Sequence, residues 1–388
     1  MTFFAIEWYF LSRACVIDNA SKTIEDRKTM KSDGGVMKKL LSLILALTMA
    51  LPLAACGGKQ DSETSDATPG NTSQQEQNGP TVEDVKWPTG AVTIYVNGKT
   101  GSNLDAKARI LAEYLGTELG ESVVIENVPG NGGAVLLTQF LAQQPNSDSL
   151  CYVSPDSLNV VPLFQEVEYS DEDYTIVSCI DEVEIGLFAS AASGITSLAE
   201  LKDTFTASGD TCIFSVSGAS NINYLMTKGV LNTMGLNSDF ITDGGYAEAM
   251  VNVVGGNADI CVTAMNLAKS YIEDGSLVPL CVFSAQTYTK YADIGIEAVP
   301  SAAEEGYDFQ WSNLTMLLMR GGTDDAVTAK LETALENVYA NPGYQKAMED
   351  VGFVLVEDHS SSTIRNTMEQ RMADVLEYGE IAGATFLG

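Results

Sequence analysis

The feature of this sequence that most constrains its fold is a repeated order of strand-like segment, polar or glycine-containing turn, and helical segment. Residues 92–96 are β-branched or aromatic, and they are followed by the turn 97–103 and by apolar residues at helical spacing. The same order recurs after residues 123–125, 150–153 and 212–215. Alternation of this kind predicts an α/β fold with a mostly parallel sheet flanked by helices.

The turns that follow the predicted strands are the candidate binding elements. In sheets of this kind, ligands bind beyond the carboxyl ends of the strands, where turns and helix N-termini present backbone N–H groups. The turns concerned are residues 97–103, residues 127–133, Ser154-Pro155-Asp156 and residues 217–221. The sequence therefore predicts a ligand site made by these turns.

The charge balance and the single histidine exclude several classes of function. The chain has 52 Asp+Glu and 21 Lys+Arg, a net charge of −31, which repels the phosphates that a nucleic-acid-binding protein must neutralise. His359 is the only histidine, so a histidine-rich metal site or a pair of imidazole acid–base groups is excluded. It stands in a polar, acidic stretch, and we expect it at the solvated surface.

No cofactor or hydrolase motif is complete. Gly98-Lys99-Thr100 resembles the end of a P-loop, but position 93 is Thr where the motif requires glycine. Residues 130–133 do not satisfy G-x-G-x-x-G, and the sequence contains no G-x-S-x-G segment. We therefore expect a binding protein that needs no cofactor or metal and is not an enzyme.

A second possible N-terminus lies at Met37. Two lysines follow it, and then the apolar run 40–51, which is the order of the basic and hydrophobic regions of a signal peptide. The run is shorter than the roughly 20 residues that span a bilayer, and it ends before Pro52, so it indicates a cleaved leader. Residues 1–36 are then predicted to be an upstream extension from a start codon assigned too early.

The leader ends in residues 53–57, Leu-Ala-Ala-Cys-Gly, which resemble a bacterial lipobox. The signal peptide would then be residues 37–55, and Cys56 would become the acylated N-terminus. Acyl chains anchor a protein to a membrane surface. The following residues, up to 86, are mostly polar and small, so we expect residues 56–86 to be the lipidated cysteine and a flexible tether.

The remaining cysteines are expected to be buried thiols. They lie in or beside apolar runs, they form no C-x-x-C pair, and their number is odd, so no disulfide framework is implied. They are Cys151, Cys179, Cys212, Cys261 and Cys281.

Several motifs occur in a fixed order along the folded region. The most specific is residues 126–133, Glu-Asn-Val-Pro-Gly-Asn-Gly-Gly. The others are Trp87-Pro88, residues 101–105, residues 244–249, residues 255–259, and Val299-Pro300-Ser301 leading to Glu305-Gly306-Tyr307. From Trp87 to the C-terminus, the ordered set resembles the extracytoplasmic solute-binding proteins of tripartite tricarboxylate transporters, the Bug or tricarboxylate-binding receptor family.

The resemblance implies a periplasmic-binding-protein fold of type II, in which two α/β domains are joined by crossing strands and close on a ligand. A chain of 388 residues is long enough for two such domains. We place the crossings near residues 184–189 and 311–319. Domain 1 is then residues 87–186 plus 315–388, and domain 2 is residues 187–314.

Three positions depart from the family pattern. Residues 217–220, Ser-Gly-Ala-Ser, stand where the family has Gly-x-Gly-Ser, and Asp243 stands where the family has a basic residue before Gly-Gly. Lys99 lies in the first turn, where small residues are commoner. The identity of the ligand therefore does not follow from the resemblance.

The resemblance and the chemistry of helix N-termini together imply a small carboxylate ligand, such as a di- or tricarboxylate. We expect hydrogen bonds to it from Ser102 and Asn103 on one side and from Ser217, Ala219 and Ser220 on the other. Asp105 could cap its helix, hydrogen-bond the turn, or meet the ammonium group of an amino acid. The predicted ligand-binding residues are Thr100, Gly101, Ser102, Asn103, Asp105, Ser154, Ser217, Gly218, Ala219, Ser220 and Asn221.

The function implied by the resemblance is capture of a small organic anion outside the cytoplasm and its delivery to membrane transporter subunits, a large and a small permease protein. We expect a monomer, held to the membrane through its lipid. Two alternatives stay open at this point. A receptor that reports ligand to a membrane signalling partner would have the same sequence, and a lipid-anchored enzyme would need catalytic groups that the sequence does not show.

Overall fold

The computed structural model describes residues 85–387. The predicted extension 1–36, the leader 37–55 and Cys56 lie outside these residues, as do residues 57–84 of the predicted tether. Among the described residues, no helix has both the length and the apolar character needed to cross a membrane.

The strands are β1 (Val92–Val96), β2 (Val123–Asn127), β3 (Ser149–Val153), β4 (Tyr174–Ser190), β5 (Cys212–Val216), β6 (Ser238–Thr242), β7 (Ile260–Ala264), β8 (Leu277–Val282), β9 (Ser312–Arg320) and β10 (Val354–Leu355). The helices are α1 (Asn103–Leu119), α2 (Ala134–Phe140), α3 (Asp156–Asn159), α4 (Val161–Phe164), α5 (Leu198–Ser208), α6 (Ile222–Met234), α7 (Tyr246–Val254), α8 (Met265–Glu273), α9 (Asp325–Tyr339), α10 (Pro342–Asp350) and α11 (Ser361–Ala382).

The first lobe is built on β2, β1 and β3, which run parallel in that order. Successive residues of a strand face opposite sides of the sheet. Accordingly, Leu150 and Tyr152 of β3 lie in a core with Leu111 of α1, whereas Cys151 packs on the other face with Phe140 of α2. Every residue of β3 is buried, because helices cover both faces of the sheet.

The second lobe repeats this arrangement with β6, β5 and β7, again parallel and in that order. Phe214 of β5 lies in one core with Leu231 of α6. Cys261 of β7 lies in the core of the opposite face with Val253 of α7. Each lobe therefore has a sheet between two apolar layers.

The long strand β4 joins the lobes. Its residues from Tyr174 to Glu184 pair antiparallel with β9, and its residues from Ile185 onward pair antiparallel with β7 and β8. The strand order is β2-β1-β3-β9-β4-β7-β5-β6, with β8 and β10 also paired to β4. The outer strands are parallel and the crossing strands antiparallel, because the chain leaves lobe 1 along β4 and returns along β9.

The predicted fold class, α/β with two lobes and sheets flanked by helices, is confirmed. The exact domain boundaries remain a proposal, since α11 contributes to both lobes. Ile364 of α11 packs in lobe 1 with Met316, whereas Val375 and Tyr378 lie in the core of lobe 2. A single assignment of residues 315–388 to domain 1 does not describe this helix.

A buried ion pair lies between α1 and β4 in lobe 1. Lys107 Nζ is 2.7 Å from Asp181 Oδ1 and 2.8 Å from Thr315 Oγ1, and it lies 4.5 Å from the centre of the Phe353 ring. Asp181 is fully buried, and its Oδ2 has no hydrogen-bond partner among the described residues. The pair fixes α1 to both crossing strands.

The predicted burial of the thiols is confirmed, and the predicted exposure of His359 is wrong. All five cysteines of the described region are buried and unpaired. His359 is half-buried, its ring stacks on Tyr339 with centroids 3.7 Å apart, and its Nδ1 lies 2.6 Å from the Cys179 carbonyl oxygen. Burial lowers the pKa of His359. A polar sequence neighbourhood did not reveal this contact, because β4 and α9 are distant in sequence.

Candidate ligand-binding site

The turn between β1 and α1 lies at the carboxyl edge of the first sheet. Ser102 caps α1, because its Oγ accepts a hydrogen bond from the Asp105 N–H at 3.4 Å. Gly101 has φ +81°, a conformation that favours glycine. At the start of a helix the N–H groups have no intrahelical acceptor, so Asn103 and Leu104 can donate outward.

Asp105 organises this turn. Its carboxylate accepts hydrogen bonds from the Gly101 N–H at 2.8 Å and from Asn127 Nδ2 at 2.9 Å, and it pairs with Arg109 at 2.9 Å. Burial by itself would raise the pKa of Asp105, but the hydrogen bonds from Arg109, Gly101 and Asn127 outweigh it and lower the pKa. Of the three roles left open for Asp105, hydrogen bonding to the turn is the one observed, and Ser102 is the cap.

The prediction and the structure differ on one point in the first turn, namely which groups are free to donate a hydrogen bond to a ligand. The Ser102 N–H donates to the Lys99 carbonyl at 2.9 Å, and Thr100 Oγ1 donates to Asn127 Oδ1 at 3.1 Å. Ser102 was expected to offer its N–H to the ligand, and in this structure that group is occupied. The N–H group of Asn103 has no acceptor among the described residues, so its donation to a ligand stays a prediction.

The turn between β5 and α6 has the same construction in lobe 2. Asn221 caps α6, with Oδ1 accepting from the Tyr224 N–H at 3.0 Å and Nδ2 donating to the Gly218 carbonyl at 2.7 Å. Gly218 has φ +131°. The backbone N–H groups of Ala219 and Ser220 make no hydrogen bond with the described residues. These two N–H groups are therefore free of acceptors within the described part of the chain, and their use by a ligand stays a prediction.

Asp243 organises the second turn as Asp105 organises the first. Its carboxylate accepts hydrogen bonds at 2.9 Å each from Ser215 Oγ, Ser217 Oγ and the Gly245 N–H. Burial raises the pKa of Asp243, and these hydrogen bonds act in the opposite direction. The side chain of Ser217, predicted to reach the ligand, is thus committed to Asp243. The sequence showed Asp243 only as a departure from the family pattern.

Lys99 connects the two lobes. A Cβ atom placed on Gly244 would lie 2.5 Å from Lys99 Nζ and 2.5 Å from Glu248 Oε2, so the ends of both side chains lie against the backbone of Gly244. Lys99 belongs to the turn after β1, and Gly244 to the turn after β6. Within residues 85–387, Lys99 has no acidic partner within 4 Å. Turns of the two lobes therefore approach each other at Lys99, and the Glu248 carboxylate lies close to the Lys99 ammonium group.

A polar cluster extends this site toward the crossing strands. Tyr246, the first residue of α7, accepts a hydrogen bond through its hydroxyl oxygen from the side-chain amide of Asn313 on β9. The Oδ1 atoms of Asn223 and Asn313 are buried without a partner among the described residues. Ser154 lies in the turn after β3, where its Oγ accepts from the Asp156 N–H at 3.3 Å. Sequence reasoning placed Tyr246 in a family motif but gave no role to it, Asn223 or Asn313.

A groove of about 730 Å³ lies elsewhere, at the crossing strands. Its lining includes Trp311, Ser312 and Arg371, and it contains none of the predicted ligand-binding residues. The described residues contain no cluster of three or more His, Cys, Asp or Glu side chains that could hold a metal ion.

Comparison with known proteins assigns the chain to a family. Residues 107–375 match the model of the family described as the tripartite tricarboxylate transporter family receptor. Protein BugT of Bordetella pertussis is 24% identical over 301 residues, which cover 76% of this chain and 90% of BugT.

Two solved structures from Rhodopseudomonas palustris share the fold. Rpa4515 with adipate has a TM-score of 0.68 and 20% identity, covering 77% of this chain and 99% of that one. MatC with bound malate has a TM-score of 0.65 and 19% identity, covering 76% of this chain and 100% of that one. Because the family model matches more than half of the 388 residues, the chain belongs to the tripartite tricarboxylate transporter receptor family.

Proposed function

We propose that this protein is an extracytoplasmic receptor that binds a small carboxylate between its two lobes and delivers it, unchanged, to the permease subunits of a membrane transporter. Membership of the receptor family supports this, as do the carboxylates bound to the structural relatives, adipate and malate. Helix N-termini attract anions through their unsatisfied N–H groups and partial positive charge. The acidic surface therefore does not prevent a carboxylate from binding.

The observation that carries the proposal is the approach of Lys99 to Gly244. It brings the turn after β1 within reach of the turns of lobe 2, so one ligand can accept hydrogen bonds from both lobes. Either lobe alone offers only part of the donors. A ligand that contacts both lobes favours the closed arrangement, because it binds that arrangement more tightly than the open one.

Removing the N–H group of Asn103 tests the site. Proline is well accepted at the first position of a helix, and Ser102, with φ −73° and ψ 164°, has the extended conformation that suits a residue before proline. Asn103→Pro should therefore keep the fold while deleting one donor. A charge-assisted hydrogen bond contributes about 1.5–3 kcal/mol, so calorimetry with di- and tricarboxylates should show affinity reduced by about tenfold to a hundredfold.

Two further variants serve as controls. Asn103→Ala removes the side chain but keeps the N–H, and should retain more affinity than Asn103→Pro. Ser361→Pro introduces proline at the equivalent position of α11, after a cap with φ −63° and ψ 145°, and should bind as the unchanged chain does. Equal affinity for Asn103→Pro and the unchanged chain would mean that the ligand does not use this helix N-terminus.

We further propose that Cys56 anchors the mature protein to the membrane through lipid. The lipobox-like residues 53–57 after an apolar run support this. Cys56→Ala should abolish acylation, so the protein should move from the membrane fraction to the soluble fraction, with no lipid found by mass spectrometry. A surface change such as Lys202→Ala should leave fractionation unaltered. Membrane attachment that survives Cys56→Ala would rule out this anchor.

A further inference from the structure

Lys99 and Glu248 bring opposite charges together across the two lobes. Lys99 lies in the turn after β1 of lobe 1, and Glu248 lies in the first turn of α7 in lobe 2. Lys99 Nζ and Glu248 Oε2 each lie 2.5 Å from one point, the position of a Cβ atom placed on Gly244. The two charged atoms are therefore separated by no more than twice that distance. Opposite charges this close attract each other.

The two members of this contact are held differently. Glu248 Oε2 accepts a hydrogen bond from the Gly244 N–H at 2.8 Å, so the carboxylate is fixed to the turn before α7. Its place in the first turn of a helix also suits a negative charge, because helix N-termini carry partial positive charge. Lys99 is exposed and has no acidic partner within 4 Å in its own lobe. Its charge is therefore available to the carboxylate of the other lobe.

The contact depends on how far the lobes are apart, and it needs no ligand. The lobes are joined by β4 and β9, so opening them about these strands separates the turn after β1 from the turn after β6. Such an opening moves Lys99 away from Gly244 and Glu248. Because both charges belong to the chain, their attraction favours the closed arrangement of the empty protein as well as that of the liganded one.

A direct role for Lys99 as the cation that pairs with the ligand is the alternative, and Glu248 separates the two. A carboxylate ligand near Lys99 would be repelled by the neighbouring negative charge of Glu248. Removal of that charge would then strengthen binding. If the two residues instead hold the lobes together, removal of the Glu248 charge weakens binding, because it favours the open arrangement. The two roles therefore predict effects of opposite sign.

We propose that Lys99 and Glu248 form an electrostatic latch that raises the population of the closed arrangement before a ligand binds. The apparent dissociation constant of a ligand is its intrinsic value divided by the fraction of the protein that is competent to bind. The latch therefore strengthens the binding of every fitting acid by the same factor. Its effect on affinity rests on the proposed function, whereas its effect on the empty protein does not.

Small-angle X-ray scattering of the full-length chain without ligand tests the latch directly. Lys99→Glu places like charges across the lobes, so the radius of gyration should increase relative to that of the unchanged chain. In about 1 M salt the Debye length is about 3 Å, so this difference should disappear. Asp350→Lys reverses one charge of the exposed Lys346 pair within α10, and should leave the radius unchanged.

A double-mutant cycle tests the effect on binding. Glu248→Gln keeps an acceptor for the Gly244 N–H while removing the charge, and Lys99→Gln removes the opposite charge. Exposed ion pairs contribute little, so calorimetry with succinate, malate and citrate should show affinity reduced by about twofold to fivefold in either variant. The double variant should lose no more than either single variant, because both remove the same interaction. Asp350→Asn should bind as the unchanged chain does.

Tighter binding by Glu248→Gln would overturn the inference and leave the proposed function standing, since Glu248 would then act on the ligand by repulsion. Additive losses in the double variant would overturn it too, as would a radius of gyration that Lys99→Glu does not change. Failure of every acid to bind would reject the proposed function, and the scattering of the empty chain would still decide whether the latch exists.

Discussion

Asp181→Leu should lower the free energy of unfolding by about 3–5 kcal/mol, the largest change in stability that we expect from one substitution. The reason is that Lys107, which is 4% exposed, would be left in the core of lobe 1 without its counter-ion, with Thr315 and the Phe353 ring beside it. An unpaired charge in such surroundings is strongly destabilising. Denaturant unfolding monitored by circular dichroism measures the change.

Two variants separate the loss of the ion pair from other effects. Asp350→Leu breaks the exposed pair with Lys346 on α10, and should change stability by about 1 kcal/mol or less. The double variant Lys107→Met, Asp181→Leu replaces the buried pair by apolar side chains and should recover most of the stability. If the Asp181→Leu and Asp350→Leu variants unfolded at the same denaturant concentration, the predicted contribution of the buried pair to stability would be wrong.

Asp105→Ala should reduce the affinity for a carboxylate ligand by about a hundredfold, the largest effect on binding that we expect. The substitution leaves the Gly101 N–H, the Asn127 amide and the Arg109 guanidinium without their common acceptor, which is only 2% exposed. Each lost hydrogen bond to a charged group costs about 1.5–3 kcal/mol. The turn that presents Asn103 would lose its fixed geometry, so binding should suffer as well as stability.

The conservative variant identifies how Asp105 acts. Asp105→Asn retains an acceptor for the Gly101 N–H and should restore part of the affinity, since Asp105 positions the turn and has no free oxygen for the ligand. Asp203→Ala, on the exposed face of α5, should bind normally. Calorimetry would contradict this role if Asp105→Ala and Asp203→Ala bound the same acid equally well.

Local sequence patterns predicted the elements of the fold with good accuracy. The apolar run at residues 150–153 corresponds to β3, which is buried on both faces, and the turns 97–103 and 217–221 precede α1 and α6. Such patterns succeed because burial on a sheet or helix imposes a period that appears directly in the sequence. The predicted turns also proved to be capped helix starts, as their Ser and Asn residues indicate.

The roles of individual site residues were harder to predict. Asp105 and Asp243 look alike in sequence to Asp156, since each lies in or next to a turn that follows a strand. The carboxylates of the first two accept hydrogen bonds from neighbouring donors, whereas Asp156 is involved through its backbone N–H, which donates to Ser154 Oγ. Whether a carboxylate is hydrogen-bonded within its turn depends on which donors surround it, and some of these donors, such as Asn127 and Ser215, come from other segments.

The sequence by itself determined the α/β class, the order of strands and helices, the burial of the thiols and the resemblance to a receptor family. Only the tertiary structure decided which side chains meet. Lys107 bonds to Asp181 across 74 positions, Tyr246 to Asn313 across 67, and Lys99 reaches Gly244 from the other lobe. The spacing of apolar residues along the sequence indicates which face of a helix or strand is buried. It does not indicate such pairs, because they depend on how the crossing strands place distant elements side by side.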